Sequence, residues 1–232
     1  MKIEILFPCC CNLFGDLSNM DYLKKCLPQA QFVETLLTEE PLFVREKVDM
    51  IYLGPMTERT QELVLERLRP HKERLWELME DDTLFLFTGN ALELMGEYIV
   101  KEDDSRLECL GIFPLYAKRD MMHRHNSVFL GNLDGEPVMG FKSQFTTAYP
   151  RSKNIGLFTV EKGMGLNKKC SFEGVRHRNF FGTYLLGPLL LLNPPFAKFI
   201  LKRLGAGDSP LALEKEVQAA YEKRLEDLRV KK

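Results

Sequence analysis

The sequence predicts a three-layer α/β fold, with a central, mostly parallel sheet covered by helices on both faces. Three observations carry that expectation. The chain has 232 residues, 45% of them hydrophobic, enough to bury a full core around one large sheet. Its first half alternates short strand-like runs with amphipathic helical ones. Its strand-like runs, such as "LFLF" (Leu84–Phe87), are apolar at every position, as burial on both faces requires.

The elements follow in order. "KIEILF" is a first strand, leading into the loop "PCCCNLFGDLSN". "MDYLKKCL" reads as a helix, with Asn19 or Asp21 near its start as capping residues. "QFVETLL" is a second strand and "VDMIYLG" a third, ending at Gly54. "TERTQELVLERLRPHKERLWELMEDD" is helical with a break near Pro70, where proline removes a backbone donor. "TLFLFTG" is a fourth strand, turning at Gly89-Asn90 into another helix.

The second half is richer in strands. "HNSVFLGNLDGEPVMGFKSQF" predicts a hairpin turning at Asp134-Gly135. "NIGLFTVEKGMG" and "VRHRNFFGTYLLG" supply further strands. "NPPFAKFILKRLG" is a helix opened by its prolines and stopped by Gly205. In the tail, Val217, Tyr221, Leu225 and Leu228 form a helical stripe suited to docking on the chain's own body. No repeat, linker or composition shift divides the chain. Residues 1–205 are therefore expected to form one domain, and 206–232 a helical extension packed on it.

Composition excludes several function classes. A net charge of −1 gives no overall field to recruit nucleic acid or an anionic membrane. The most apolar run, "YLLGPLLLL", is too short to span a bilayer. "MKIEILFP" has a charge inside its apolar run and lacks the plan of a signal peptide, so a cytoplasmic location is expected. The six cysteines (Cys9, Cys10, Cys11, Cys26, Cys109, Cys170) include no CxxC pair and suggest no disulfide framework. If "PCCCN" continues the first strand, successive thiols alternate faces and cannot converge on one metal ion. They read as small residues ending a strand. No metal or cofactor is expected.

In a parallel sheet, chemistry gathers at the C-terminal strand ends. Four loops qualify: "NLFGDLSN" (Asn12–Asn19), "LGPMTERTQ" (Leu53–Gln61), "TGNALELMG" (Thr88–Gly96) and "GTYLLGP" (Gly182–Pro188). Together they resemble the class I glutamine amidotransferases, in the CobB/CobQ-like branch, and within it the glutaminase subunits of lipid II isoglutaminyl synthases. That branch carries N-L-Y-G-D-x-G-N, a Gly-rich oxyanion loop followed by S/D-x-x-Q, the nucleophile corner C-G-G-Y-Q-x-L-G, and GTYLHGP. The matches occur in order, at fitting spacings, over about residues 1–205. The resemblance implies a flavodoxin-like amidotransferase fold and a partner, a Mur-ligase-type synthetase working on a peptidoglycan precursor.

The same resemblance marks what is missing. Aligning the corner on Gly96 puts Gly89 where the family has its nucleophilic cysteine, and "GTYLLGP" puts Leu186 where it has its catalytic histidine. Glycine cannot attack a carboxamide and leucine cannot take a proton. Pro55, which has no N–H, follows Gly54 in the oxyanion loop, and the corner's later glycines are Asn90 and Ala91. The family's E-N-H stretch after "GF" is "KSQ" here. Thr88 is an unassisted hydroxyl. Cys109 lies on a following strand, His177 sits at an odd offset from Leu186, His123 and His125 fall in a loop, and His71 is in the kinked helical segment.

The leading expectation is a catalytically degenerate amidotransferase-like protein acting as a scaffold, regulatory or ligand-binding subunit. Gly54, Arg59, Gln61, Thr88, Gly89, Asn90 and Arg124 would ring a pocket for a glutamine-like small ligand. Arg124 aligns with an arginine of the family's glutamine site. The alternative is an active amidotransferase or hydrolase using a displaced nucleophile, with Cys9–Cys11 the first candidates.

Overall fold

Successive side chains of the apolar strands serve two separate cores. The computed structural model describes residues 1–230. Its first half contains β1 (Lys2–Leu6), α1 (Ser18–Cys26), β2 (Gln31–Thr35), α2 (Leu42–Arg45), β3 (Met50–Leu53), α3 (Glu58–Leu68), α4 (Lys72–Glu80) and β4 (Leu84–Thr88). In β3, Met50 and Tyr52 face one core and Ile51 and Leu53 the other; in β4, Leu84 and Leu86 oppose Phe85 and Phe87. The period-2 geometry of a strand divides an all-apolar run in this way. α1 covers one face with Met20, Tyr22, Leu23 and Cys26, while α3 and α4 cover the other with Val64, Leu65, Leu68, Leu75, Leu78 and Met79. The break between α3 and α4 is a short 3-10 turn, Arg69–His71, holding Pro70.

The second half contains β5 (Tyr98–Val100), β6 (Arg106–Glu108), β7 (Leu115–Arg119), β8 (His125–Leu133), β9 (Glu136–Gln144), β10 (Thr146–Pro150), β11 (Gly156–Lys162), β12 (Phe172–His177), β13 (Phe180–Thr183), α5 (Leu189–Leu192), α6 (Pro194–Arg203) and α7 (Glu214–Val230). The main sheet has nine strands in the order β2-β1-β3-β4-β13-β12-β11-β8-β9. From β2 to β13 neighbouring strands are parallel; from β13 to β9 they are antiparallel. The β8–β9 hairpin turns at Asp134 and Gly135, both at positive φ, as expected. A second sheet, β10-β7-β5-β6, was not expected. Pieces such as "RLE" and "LYAKR" are too short and polar to stand out.

Local expectations needed correction. The segment after β4 is a 3-10 stretch, Gly89–Met95, rather than an α-helix. At the start of α1 neither Asn19 nor Asp21 caps: Leu17 holds that position. Asn19 is buried inside the helix, donating to the Asp16 carbonyl and accepting from the Leu190 N–H. The cysteines do not continue β1. Phe7 turns to φ 55°, and the N–H groups of Cys10 and Cys11 both donate to its carbonyl. Cys9 is exposed, Cys10 half-buried and Cys11 buried, so only part of the run is interior. "VRHRNFFGTYLLG" is a tight hairpin, β12 to β13, with Arg178 at positive φ in the turn. His125 opens β8 rather than lying in a loop, and Cys109 follows β6 rather than lying on a strand.

The tail helix α7 lays its stripe against the antiparallel half. Tyr221 packs with Leu130 and Met139 and donates its hydroxyl to the Pro137 carbonyl at 2.9 Å, flanked by Leu225 and Leu228. Val217 joins the core on the α1 side. Among the described residues no helix is long and apolar enough to cross a membrane.

Candidate functional site

β4 delivers an extended Thr88, and the chain then reverses at Gly89 with φ 58°. That left-handed backbone suits glycine, which has no Cβ to strain. A strand that breaks sharply into a helical turn presents its corner residue outward at the sheet's C-terminal edge, the geometry of a nucleophile elbow. The elbow is present; the place of a Cβ at its corner is taken. A Cβ built on Gly89 would lie 2.5 Å from Pro55 Cβ and 3.4 Å from Leu186 Cδ2. Pro55 follows β3 and Leu186 follows β13, the two strands flanking β4. Leu186 is held by its backbone as well: its N–H donates to the Phe141 carbonyl at 2.8 Å, and its carbonyl accepts the Phe141 N–H.

The four loops read from the sequence interlock around this corner. Asn90 clamps the β3 loop, its Oδ1 accepting the Met56 N–H at 3.0 Å and its Nδ2 donating to the Met56 carbonyl at 2.8 Å. The Leu13 N–H donates to the Pro55 carbonyl. Of the two backbone positions after Gly54, Pro55 has no donor and Met56 has committed its own to Asn90. Neither offers an N–H to an oxyanion. Beneath the corner, the Thr88 hydroxyl donates to Asp16 Oδ2 at 2.5 Å and Tyr52 OH to the same oxygen at 2.7 Å. Burial raises the Asp16 carboxyl above its ordinary range, against those two bonds.

Glu93 is the main feature that the sequence reading passed over, although the signal was there. The family pattern has glutamine at this place in the corner motif. Glu93 is buried, accepting Tyr184 OH at 3.0 Å through Oε1 and Gln61 Nε2 at 2.9 Å through Oε2. Burial pushes its carboxyl up to about 7, opposed by those two donors and by the Arg119 charge. Gln61 also donates to the Asn90 carbonyl and accepts from Arg119, tying α3, the corner and β7 together.

In front of Gly89 lies a cavity of about 340 Å³. Gly89, Asn90, Arg124 and Leu186 stand on its wall with Phe14, Pro55, Glu93 and Tyr184. Gly54, Arg59, Gln61 and Thr88 do not. Gly54 is pressed against the Cys11 carbonyl, where a side chain would collide. Arg59 is exposed on α3, and Gln61 and Thr88 are buried in the bonds just described.

No thiol or imidazole is among the residues lining this cavity. Cys11 packs behind it on Met56, Sγ to Sδ 3.9 Å, and burial pushes its thiol well up. Burial raises Cys10 too, and Cys109 is pushed up to about 12 by burial and the nearby Glu93 charge. His177 sits at the far end of the sheet, bonded to Glu80 at 2.9 Å and stacked on Trp76. His71 is half-buried against Phe43, and His123 is exposed beside Asp120.

Comparison with known proteins agrees with this architecture. The profile of the CobB/CobQ-like glutamine amidotransferase domain matches residues 2–193. The chain is 26% identical over 196 residues to the lipid II isoglutaminyl synthase (glutamine-hydrolyzing) subunit GatD of Staphylococcus aureus, covering 83% of this chain and 79% of that one. It is 24% identical over 205 residues to the GatD subunit of Streptococcus pneumoniae, covering 85% and 77%. Among solved structures it resembles PurLQS from Thermotoga maritima, with a TM-score of 0.57, 10% identity and coverage of 97% and 98%. It also resembles a glutamine amidotransferase, with a TM-score of 0.55, 13% identity and coverage of 87% and 98%. At these identities the structures speak for the fold alone.

Proposed function

The chain belongs to the CobB/CobQ-like glutamine amidotransferase family, and from that premise we propose that it is a catalytically degenerate member, serving as a scaffold, regulatory or ligand-binding subunit beside a Mur-ligase-type amide synthetase in the cytoplasm. One observation carries the loss of hydrolysis: Pro55 stands where a side chain on Gly89 would have to go, with Leu186 in contact beside it. Glutamine hydrolysis by the family route needs a thiolate at the corner, an imidazole to move protons, and backbone donors for the oxyanion. Residues 89 and 186 supply neither of the first two groups, and Pro55 and Met56 do not supply the third. The replacements also fit one another. A side chain at 89 and a proline at 55 exclude each other, so the site is repacked rather than merely missing one group.

The partner is proposed from the relatives, which are named as subunits of a synthase. The cavity that remains in front of Gly89 has Arg124 on its wall, which supports a small ligand bearing a carboxylate. A displaced nucleophile at Cys9–Cys11 is disfavoured, because none of the three lines the cavity in front of Gly89 and burial raises the Cys10 and Cys11 thiols.

The test is ammonia release from glutamine by the purified protein, alone and with a co-purifying synthetase. The expected result is none above the rate without protein. Release abolished by replacing Cys9, Cys10 or Cys11 would overturn the reading. An affinity pull-down from the native cell should recover a Mur-ligase-like protein; repeated recovery of the chain alone counts against the subunit role.

A further inference from the structure

A second cavity, of about 750 Å³, adjoins the first and shares Arg124, Gln144, Phe145 and Thr146 with it. Its wall also carries Lys118, Arg119 and Lys168, with His123 and His125, against only Glu102 and Asp120. Asp120 is engaged by His123 at 2.9 Å. Lys118 and Arg124 lie over the rings of Tyr149 and Phe145, and none of Lys118, Arg124 and Lys168 has an ion-pair partner among the described residues. Two buried polar atoms on the same wall are left without a hydrogen bond, Arg119 Nε and Gln144 Oε1. The side chain of Arg119 is only 6% exposed; its Nη2 donates to Gln61 Oε1 at 3.1 Å and its Nη1 lies 3.8 Å from Glu62, which leaves Nε as its open donor. A buried donor without a partner is destabilising. Elsewhere in this chain a buried cation is satisfied: Lys142 donates to the carbonyls of Met164 and Gly165 and faces Glu173 at 3.6 Å.

We propose that this cavity binds a phosphorylated small molecule, its phosphate held among Lys118, Arg119, Arg124 and Lys168 and its body against Phe145 and Tyr149. Several cations converge where a lone carboxylate would need one, and lysines act as point charges toward a compact polyanion. The volume lies in the range of small-molecule sites, and the aromatic rings supply the apolar surface such sites use. Burial, with Lys142 and Lys168 nearby, lowers the pKa of His125, so an anion arriving there would raise it. The site is independent of the crevice chemistry and stands whether or not the chain hydrolyses glutamine.

The chain's four histidines make the test direct, since two line the cavity and two, His71 and His177, lie on other parts of the surface. Sodium pyrophosphate is titrated into the full-length protein at constant ionic strength while the imidazole resonances are followed by NMR. His123 and His125 should shift saturably and His71 and His177 should not. Replacing both Lys118→Gln and Lys168→Gln should weaken binding about tenfold or more. Lys202→Gln, in a separate basic patch with Arg176 and Arg203, should leave it unchanged. No saturable shift, equal movement of all four histidines, or full affinity in the double variant would overturn the site. Citrate binding as tightly as pyrophosphate would overturn its assignment to phosphate.

Discussion

The two cavities that share the wall of Arg124, Gln144, Phe145 and Thr146 handle their polar groups in opposite ways. In the crevice before Gly89, the Met56 N–H, both ends of the Asn90 amide and both oxygens of Glu93 have partners inside the chain, and Pro55 takes the place of a Cβ on Gly89. In the basic cavity, Lys118 and Lys168 stand without ion-pair partners among the described residues, and Arg119 Nε is unsatisfied although its Nη1 faces Glu62 at 3.8 Å. The difference teaches how to read a conserved fold. On the functions proposed above, the place where the family does its chemistry serves as structure in this chain, and the neighbouring place offers charge to a ligand.

Substitutions at four places test that contrast. The largest effect is expected from Lys142→Met, behind the shared wall. Removing a buried, fully partnered cation leaves Glu173 uncompensated, at a cost of about 3–5 kcal/mol. A urea midpoint unchanged from wild type would break the contrast at its root. Gly89→Cys comes next, destabilising by about 3 kcal/mol from its left-handed backbone and the collision with Pro55. In a Pro55→Gly background the cost should fall by about 1 kcal/mol or more, read as a double-mutant cycle. Strict additivity would mean the two residues do not compete for space. Gly89→Cys, alone or with Leu186→His, should release no ammonia while Pro55 remains.

Glu93→Gln changes stability in the other direction. The Glu93 pKa is raised in the folded protein from 4.5 to about 7, so folding takes up a proton. The stability this gives is fully present below about pH 4.5 and is lost as pH rises through about 7. The glutamine variant lacks that loss, so its stability relative to wild type should climb by about 3 kcal/mol between pH 4.5 and pH 8. A flat difference curve in chemical denaturation would show that the carboxyl is not strained. The smallest effect is expected at Lys118 and Lys168, where glutamine should leave the denaturation midpoint unchanged and remove only the stabilisation given by pyrophosphate.

Much of this fold was legible because its strands are extreme. "LFLF" and "MIYL" are apolar at every position, and the two-core arrangement explains them residue by residue. Pro70 marked its own break, and Asp134-Gly135 its own turn. The second sheet was hidden, because β5 and β6 are three residues each and take their stability from β7 and the core beneath. "PCCCN" misled because Phe7 leaves the strand at a positive φ that its residue type does not advertise. At the site, ordered motifs marked the four loops, yet no motif shows that Gln61 and Thr88 point inward to Glu93 and Asp16. That depends on which face of a helix or strand end meets a buried carboxyl, a tertiary fact. The basic cavity was invisible for the same reason: β7, the loop between β7 and β8, and the loop before β12 bring its cations together from distant parts of the chain.

The interlock of Gly89, Pro55 and Leu186 also constrains the routes by which such a sequence can change. Installing sulfur at the corner first passes through a colliding, poorly folded protein, whereas emptying position 55 first leaves a hole with nothing to fill it. Either single step is unfavourable until the other has been taken, so the arrangement behaves as a ratchet. A side chain at 89 and a proline at 55 would therefore have to change together.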